Sequence, residues 1–238
     1  MITYPIAPWY REALLRHSVR PLGSATEPIT LATARDHLRL ALYGSPLSHP
    51  DDTLIESIYL PAARQHCEVL SGRVLAYQEY ELTLRCFPTR TALDLPLGLN
   101  YSHYDYVRFP VGPVRSINSV IYADANNQDV DLSGSPTGYV FDPYTDEGRL
   151  FSAPGASWPA TYDRPNAVRI RFNAGYDADG ASPFELGMPV TYKAAILLLL
   201  THFYENRSNT EQTSQLPREI EMGVKSLLYP DRLRHGMA

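Results

Sequence analysis

Residues 194–208 read AAILLLLTHFYENRS, and their pattern predicts a buried helix that ends in polar side chains. One face of this helix is marked by apolar residues at helical spacing, namely Tyr192, Ala195, Ile196, Leu199 and Phe203. Much of the remaining surface is also apolar, through Ala194, Leu197, Leu198, Leu200 and Tyr204. Because a helix that is apolar nearly all round must be buried on nearly all sides, we predict that residues 188–206 occupy the centre of a helical bundle. A neighbouring subunit is one way to close that bundle.

A membrane helix is the first alternative for this stretch, and its length argues against it. The longest apolar run is far below the roughly 20 residues that span a bilayer. The N-terminal residues MITYPIAPWYREALLRHS lack the basic head and apolar run of a signal peptide. Two cysteines in 238 residues form no disulfide framework, which fits a reducing compartment. We expect no membrane partner.

The charge of the chain is uneven along its length. Residues 73–187 hold 9 basic and 14 acidic groups, whereas residues 1–72 and 188–238 carry net charges of −1 and +1. No segment forms a basic patch of the kind that holds nucleic acid through its phosphates. The basic residues are almost all arginine, since Lys193 and Lys225 are the only lysines.

The order of local patterns predicts an α+β fold in which N- and C-terminal helices form a bundle around a β-rich antiparallel insertion. Thr30 can cap a helix over LATARDHLRLAL, and Asp51 and Asp52 open a second helix that Pro61 should kink or split and Gly72 should end. The predicted segments are an arm over residues 1–28, helices over 29–72, the β-rich insertion over 73–187, helices over 188–228, and a tail over 229–238.

The β-rich insertion contains five stretches with strand composition, separated by turn residues. The strand candidates are VLAYQEYELTLRCF, YVRFP, VRSINSVIYAD, GYVFD and AVRIRFNAGY. We predict that they form an antiparallel meander or a small barrel.

A search for catalytic patterns finds no complete set of residues. The chain lacks a phosphate-binding GxxxxGK[ST] loop, a GxSxG nucleophile elbow and an HExxH metal pair. Cys67 lies beside His66, but adjacent helix residues point in different directions, so a buried structural cysteine is favoured over a nucleophile. The aromatic run YSHYDY at 101–106 could stack bases or sugars, although alternation at a strand edge explains it more simply. We expect no cofactor and no enzymatic activity.

The polar residues at the end of the central helix are His202, Tyr204, Glu205, Asn206 and Arg207. His202 and Glu205 could share one helix face, but a di-metal bundle needs two Glu-x-x-His copies, and here the order is reversed. We interpret the group as a polar collar where the helix leaves the core or meets a neighbouring subunit.

Six stretches, in order, resemble the head–tail connector, or head-completion adaptor, proteins of tailed bacteriophages and gene-transfer particles. The stretches are PITLATARDHLRL, DDTLIESIYLPAARQHCEVLSGRVL, FPVGPVRSINSVIYAD, VRIRFNAGY, MPVTYKAAILLLLTHFYENRS and LPREIEMGVKSLLYPDR, within residues 28–232. The N-terminal 27 residues and the segment 142–166 fall outside the shared pattern.

The resemblance implies a structural virion protein, made in the host cytoplasm, that forms a ring between the portal and the tail or neck. It implies a twelvefold ring, contacts with the portal and with stopper or other neck and tail proteins, and a channel for double-stranded DNA without sequence-specific binding. It also implies that the tail reaches the portal. The residues that we predict to bind the portal are Tyr229, Pro230, Asp231, Arg232, Leu233 and Arg234. Two alternatives stay open, another neck component such as a stopper or tail-completion protein, and an enzyme with a scattered active site.

Overall fold

The computed structural model describes residues 18–41, 48–88, 106–132, 138–145, 148–176, 187–206 and 218–231. It contains helices and antiparallel sheets, which confirms the predicted α+β class. The residues divide into two compact units, one drawn from Met1–Ser24 and Gln78–Ala174 and the other from Ala25–Tyr77 and Gly175–Ala238. Within the described ranges, no helix is long and apolar enough to cross a membrane.

The second unit is helical and combines elements from both ends of the chain. Its helices are α1 (Leu31–Leu38), α2 (Asp52–Leu54), α3 (Leu60–Ser71), α4 (Val190–Glu205) and α5 (Arg218–Leu228), followed by a 3₁₀ turn at Tyr229–Asp231. Side chains from all of these helices except the short α2 meet in one apolar core, in which Ala63, Ile196 and Val224 are fully buried. Residues 73–77, which the sequence places in the β-rich insertion, belong to this unit, and Leu75 is part of its core.

Helix α1 begins as predicted and ends earlier than predicted. Thr30 accepts a hydrogen bond from the Thr33 N–H over 3.2 Å, which caps the first turn. The apolar spacing suggested a helix as far as Leu42, but α1 stops at Leu38 because Arg39 adopts a left-handed φ of 53°. The Leu40 N–H then bonds to the Arg35 carbonyl over 3.1 Å, which closes the helix in a Schellman-type turn.

The helix around Pro61 is interrupted in the way that proline chemistry suggests. A π-helical turn, Ile55–Tyr59, separates α2 from α3, and the Leu60 N–H bonds to the Ile55 carbonyl five residues back. Pro61 has no N–H to donate to the carbonyl four residues earlier, and its ring crowds that carbonyl, so a widened turn relieves the contact. Gly72, with φ of 70°, ends α3 as predicted.

Helix α4 buries one face in the core of the unit, but it is not covered on all sides. Its core-facing side chains are fully buried and comprise Tyr192, Ala195, Ile196, Leu199 and Leu200. Val190 and Leu198 remain 79% and 37% exposed. The prediction of burial on nearly all sides is therefore wrong for the single chain, because Val190 and Leu198 of α4 lie in solvent.

Among the described residues, the first unit contains eight strands in two antiparallel sheets. They are β1 (Ser18–Thr26), β2 (Tyr77–Leu84), β3 (Tyr106–Arg108), β4 (Val114–Ala123), β5 (Asp129–Asp131), β6 (Tyr139–Asp142), β7 (Arg149–Ser152) and β8 (Val168–Ala174). The larger sheet has the order β1-β2-β8-β4-β5, and the smaller one has the order β3-β7-β6. Of the two predicted arrangements, the meander is wrong, because β8 lies between β2 and β4 and not beside β7, the strand before it in the chain. The small barrel stays a prediction.

All five strand stretches predicted from sequence contain strands, and three further strands were not predicted. Residues 18–26 were assigned to an aperiodic arm, yet they form β1 at the end of the larger sheet. Such an edge position tolerates Pro21, because one side of an edge strand needs no ladder hydrogen bond. Strands β5 and β7 are only three and four residues long, too short for alternation to be recognised.

Strand β8 shows how the larger sheet separates its two faces. Val168, Ile170 and Phe172 are buried in the apolar core of this unit. Arg169 and Arg171 alternate with them and so point to the opposite, polar face.

Candidate assembly surfaces

The collar at the end of α4 is held to the start of α2. The Tyr204 hydroxyl donates to Asp51 Oδ2 over 2.8 Å, and its ring meets the Tyr59 ring edge-on at 6.3 Å between centroids. The hydrogen bond joins residues 153 positions apart in the chain. Tyr204 therefore fixes the position of the end of α4 against the acidic start of α2.

The other collar residues terminate α4 or face solvent. The Asn206 side-chain amide donates to the His202 carbonyl over 2.9 Å, and the Asn206 N–H bonds to the same carbonyl over 3.0 Å. Glu205 is exposed to solvent. Arg207 lies outside the described residues. The geometry supports helix termination by Asn206.

Replacing Tyr204 with phenylalanine is expected to lower the free energy of unfolding by about 1–2 kcal/mol, because the hydrogen bond from the Tyr204 hydroxyl to the charged Asp51 carboxylate is lost. Chemical denaturation of wild type and variant measures this. Tyr144→Phe is a matched control, since Tyr144 is 95% exposed and should change stability very little. Equal losses in both variants would contradict a structural role for the collar.

The start of α2 is also bound to α1 by a two-pronged ion pair. Arg35 Nε donates to Asp52 Oδ1 over 2.7 Å, and Arg35 Nη2 donates to Asp52 Oδ2. The His49 N–H also donates to Asp52 Oδ2, over 2.6 Å. The hydrogen bond from Arg35, together with that from His49, holds the pKa of the Asp52 carboxyl below its ordinary value despite partial desolvation. Asp52 thus acts as an ionised anchor between two helices.

This anchor predicts a pH dependence of stability. A carboxyl with a lowered folded-state pKa stabilises the protein above its unfolded pKa of about 4, and that contribution is lost as the pH falls through the folded pKa. Arg35→Gln should therefore melt below wild type from pH 7 to pH 5, and the difference should shrink below about pH 4. Thermal melts across this range measure it. A difference that persists undiminished at pH 3 would assign the effect of Arg35 to packing.

A second polar hub lies at the end of α3, and no local sequence pattern marks it. Glu68 Oε1 accepts the N–H groups of Leu75 and Ala76 over 2.8 and 3.3 Å. Its other oxygen accepts from Arg64 Nη1 over 2.7 Å. Glu68 therefore ties the segment after α3 back onto the helix.

The helical unit leaves apolar side chains in solvent on α4 and α5. Val190 and Leu198 are exposed on α4, and Met222 and Tyr229 are each 64% exposed on α5 and the turn that follows it. A Cβ added at Gly223 of α5 would lie 3.6 Å from Leu198, so the two helices meet there. We call these four residues the apolar stripe; Ile58 and Val69, elsewhere in the same unit, are exposed as well, at 52% and 81%. Contiguous apolar surface is typical of a site that a partner covers.

Only part of the predicted portal-binding segment is described. Helix α5 ends at Leu228, and Tyr229–Asp231 form a 3₁₀ turn in which Tyr229 and Pro230 are exposed. The helix thus ends just ahead of Pro230, as the sequence predicts. Arg232, Leu233 and Arg234 lie outside the described residues.

The side chains that the sequence offered as candidates for catalysis, base stacking or metal binding have packing roles where the structure describes them. Cys67 is fully buried, and burial raises the pKa of its thiol to about 12, which keeps the thiol protonated and a poor nucleophile. Tyr106, the described end of the YSHYDY run, packs against Phe151 at 5.0 Å, with the Arg149 guanidinium 5.0 Å above its ring. Among the described residues, no group of three His, Cys, Asp or Glu side chains could hold a metal ion.

Comparison with solved structures finds the same fold in gene transfer agent (GTA) particles. A chain in "Neck of empty GTA particle computed with C6 symmetry" is 23% identical, with a TM-score of 0.66 over 93% of this chain and 98% of that one. The chain shares its fold with proteins of these particles. A chain in "Virion of native gene transfer agent (GTA) particle" is 24% identical, with a TM-score of 0.64 over 92% and 98% of the two chains.

A third solved structure agrees, and two other comparisons found no match. A chain in "Neck of native GTA particle computed with C12 symmetry" is 22% identical, with a TM-score of 0.62 over 93% and 98% of the two chains. Comparison with protein-family models and with curated protein sequences returned no match. The likeness to these chains spans both compact units.

Proposed function

We propose that this chain is a structural component of the neck of a phage-like particle, an adaptor that joins the portal of the head to the stopper or tail. The observation that carries this proposal is the fold that this chain shares with chains of GTA neck and virion structures, over more than 90% of each compared chain. In this role the protein is made in the host cytoplasm, assembles into the particle, and is a structural protein without catalytic activity.

The proposed assembly is a ring of twelve copies around the DNA channel. The apolar stripe supports assembly, because a partner that covers Val190, Leu198, Met222 and Tyr229 removes apolar surface from water. The net charge of −5 supports a channel role, since a strongly basic wall would hold the DNA through its phosphates and hinder its passage. DNA would then pass through without sequence-specific contacts.

Within this proposal, the tail binds the portal. Tyr229 is exposed on the 3₁₀ turn after α5, and the sequence continues with Arg232, Leu233 and Arg234, which combine an apolar anchor with two arginines. A segment this short cannot fold alone, so we expect it to order on binding.

Particles that lack this protein provide the direct test. We expect them to fill with DNA, to leak it, and to carry no tails. Particles that retain their DNA and carry normal tails would refute the adaptor proposal. Mixing the purified chain with purified portal protein distinguishes the adaptor role from the stopper role. An adaptor should form a complex with the portal in the absence of other neck proteins.

Deletion of residues 230–238 tests the tail. The truncated protein should keep the melting temperature of wild type and lose co-purification with the portal. Deletion of residues 235–238 is the matched control, because it retains Arg232, Leu233 and Arg234 and should bind normally. Undiminished portal binding by the longer deletion would refute the role of the tail and leave the adaptor proposal intact.

A further inference from the structure

The polar face of the larger sheet carries a cluster of arginines that the neck role does not explain. Four arginines from β1, β8 and the loop before β8 surround two acidic side chains from β2 and β5. We call this group the arginine patch; it consists of Arg20, Arg164, Arg169, Arg171, Glu81 and Asp129.

The centre of the patch is a nearly buried carboxylate. Glu81 is 3% exposed and accepts hydrogen bonds from Arg20 Nε over 3.0 Å and from Arg171 Nε over 3.3 Å. Burial alone would raise the pKa of the Glu81 carboxyl, but the two guanidinium groups outweigh it and keep the pKa below its ordinary value. Glu81 therefore fixes two arginines whose own side chains remain 66% and 51% exposed.

A second carboxylate orients the other two arginines. Asp129 Oδ1 accepts from Arg164 Nη2 over 2.9 Å, and its other oxygen accepts from Arg169 Nη2. Arg164 also keeps a buried Nε–H with no hydrogen-bond partner in the described structure. The two carboxylates thus hold all four guanidinium groups in place without neutralising them fully.

The patch is rich in guanidinium groups and borders open space. Its six side chains carry four guanidinium groups and two carboxylates, and Glu79 and Asp131 follow at the next same-face positions of β2 and β5. A depression of about 400 Å³ is lined by Arg20, Glu81, Arg164 and Arg169, and a second one of about 60 Å³ shares Glu81 and Arg169 with it and reaches Arg171. A short segment of chain fits such a volume.

The surroundings of the patch favour a short acidic peptide over DNA. Residues 73–187 carry 9 basic and 14 acidic groups, and three of those nine, Arg164, Arg169 and Arg171, lie in the patch. A duplex longer than the patch would find few further cations in this acidic segment, whereas a few carboxylates need only the patch arginines. Guanidinium forks held in place suit carboxylate oxygens, which they bind with paired hydrogen bonds.

We infer that the arginine patch is a docking site for an acidic peptide segment of another protein, which places carboxylate side chains in the two depressions, beside Arg20, Arg169 and Arg171. Glu81 and Asp129 preorganise the arginines, which lowers the cost of ordering long side chains when the segment binds. This site belongs to the first unit and does not include the tail.

Binding of a fluorescent hexaglutamate peptide to the full chain, measured by fluorescence anisotropy at low salt, tests the inference. Arg171→Gln should weaken binding about tenfold, because a charge-assisted contact is lost while Arg20 still holds Glu81. Arg85→Gln is the matched control: Arg85 is 51% exposed, pairs with Asp163 in the same unit, and lies outside the patch, so binding should be unchanged.

Three results would overturn the inference: equal weakening by Arg171→Gln and Arg85→Gln, tighter binding of a duplex of about 20 base pairs than of the peptide, or competition by inorganic phosphate as strong as that by unlabelled peptide. Arg171→Lys provides a second variant should Arg171→Gln fail to fold. It keeps the charge beside Glu81 and removes the fork, so it should fold and bind more weakly than wild type. Unchanged binding by Arg171→Lys would equally contradict docking through paired hydrogen bonds.

Discussion

Replacing Arg64 with methionine is expected to lower the free energy of unfolding by about 3–5 kcal/mol, because two carboxylates lose the charge that compensates them. The Arg64 side chain is 9% exposed. Its Nε lies 2.9 Å from Glu27 Oε2, and its Nη1 lies 2.7 Å from Glu68 Oε2. Methionine fills a similar volume, so the loss reports the unpaired acids and not a cavity.

The effect should spread beyond α3, because Glu68 also accepts the N–H groups of Leu75 and Ala76. Chemical denaturation measures the loss, and hydrogen exchange at Leu75 and Ala76 should show faster opening in the variant. Arg85→Gln is a control, since its pair with Asp163 is exposed on both sides and worth less than about 1 kcal/mol. A loss for Arg64→Met no larger than for Arg85→Gln would show that the buried network is not stabilising.

The sequence was sufficient for the parts of the fold that local patterns determine. The apolar spacing of α4, the cap at Thr30 and the stop at Gly72 are all properties of neighbouring residues, and the structure contains each of them. The interruption before Pro61 follows from the missing N–H of proline in the same way.

Features that depend on residues far apart in the chain could not be predicted from local sequence patterns. The position of β8 between β2 and β4 pairs residues such as Glu81 and Arg171, which are 90 positions apart. Strand β1 has no alternation strong enough to reveal it, because Pro21 and Gly23 lie within it. The shortened α1 depends on the left-handed conformation of Arg39, which a long charged side chain does not predict.

The same distinction applies to the candidate surfaces. The polar collar was visible because Tyr204 and Asn206 follow an apolar run, but the partner Asp51 was not, since it lies 153 residues away from Tyr204. The arginine patch was invisible because Arg20, Arg164 and Arg171 come from separate segments and the surrounding sequence is acidic. Its existence depends on the sheet order.

Replacing Gly175 with alanine is expected to lower the free energy of unfolding by about 4 kcal/mol or more, because the new methyl group would collide with main chain. Gly175 follows β8 with φ of 104°, and a Cβ there would lie 2.1 Å from the Ala76 carbonyl oxygen and 2.6 Å from its carbon. Neither atom belongs to a flexible side chain, so the contact can be relieved only by shifting the backbone. That shift would break the bridge between Ala76 and Tyr176.

Gly155→Ala separates collision from backbone strain. Gly155 also has a left-handed φ, 76°, but a Cβ there meets nothing within 4 Å, so its replacement should cost only about 1–2 kcal/mol of conformational strain. Soluble yield, melting temperature and denaturant midpoints of the two variants measure the difference. The Gly175 variant should be poorly soluble or melt far below the Gly155 variant, and similar melting temperatures would mean that Ala76 and Gly175 do not approach each other this closely.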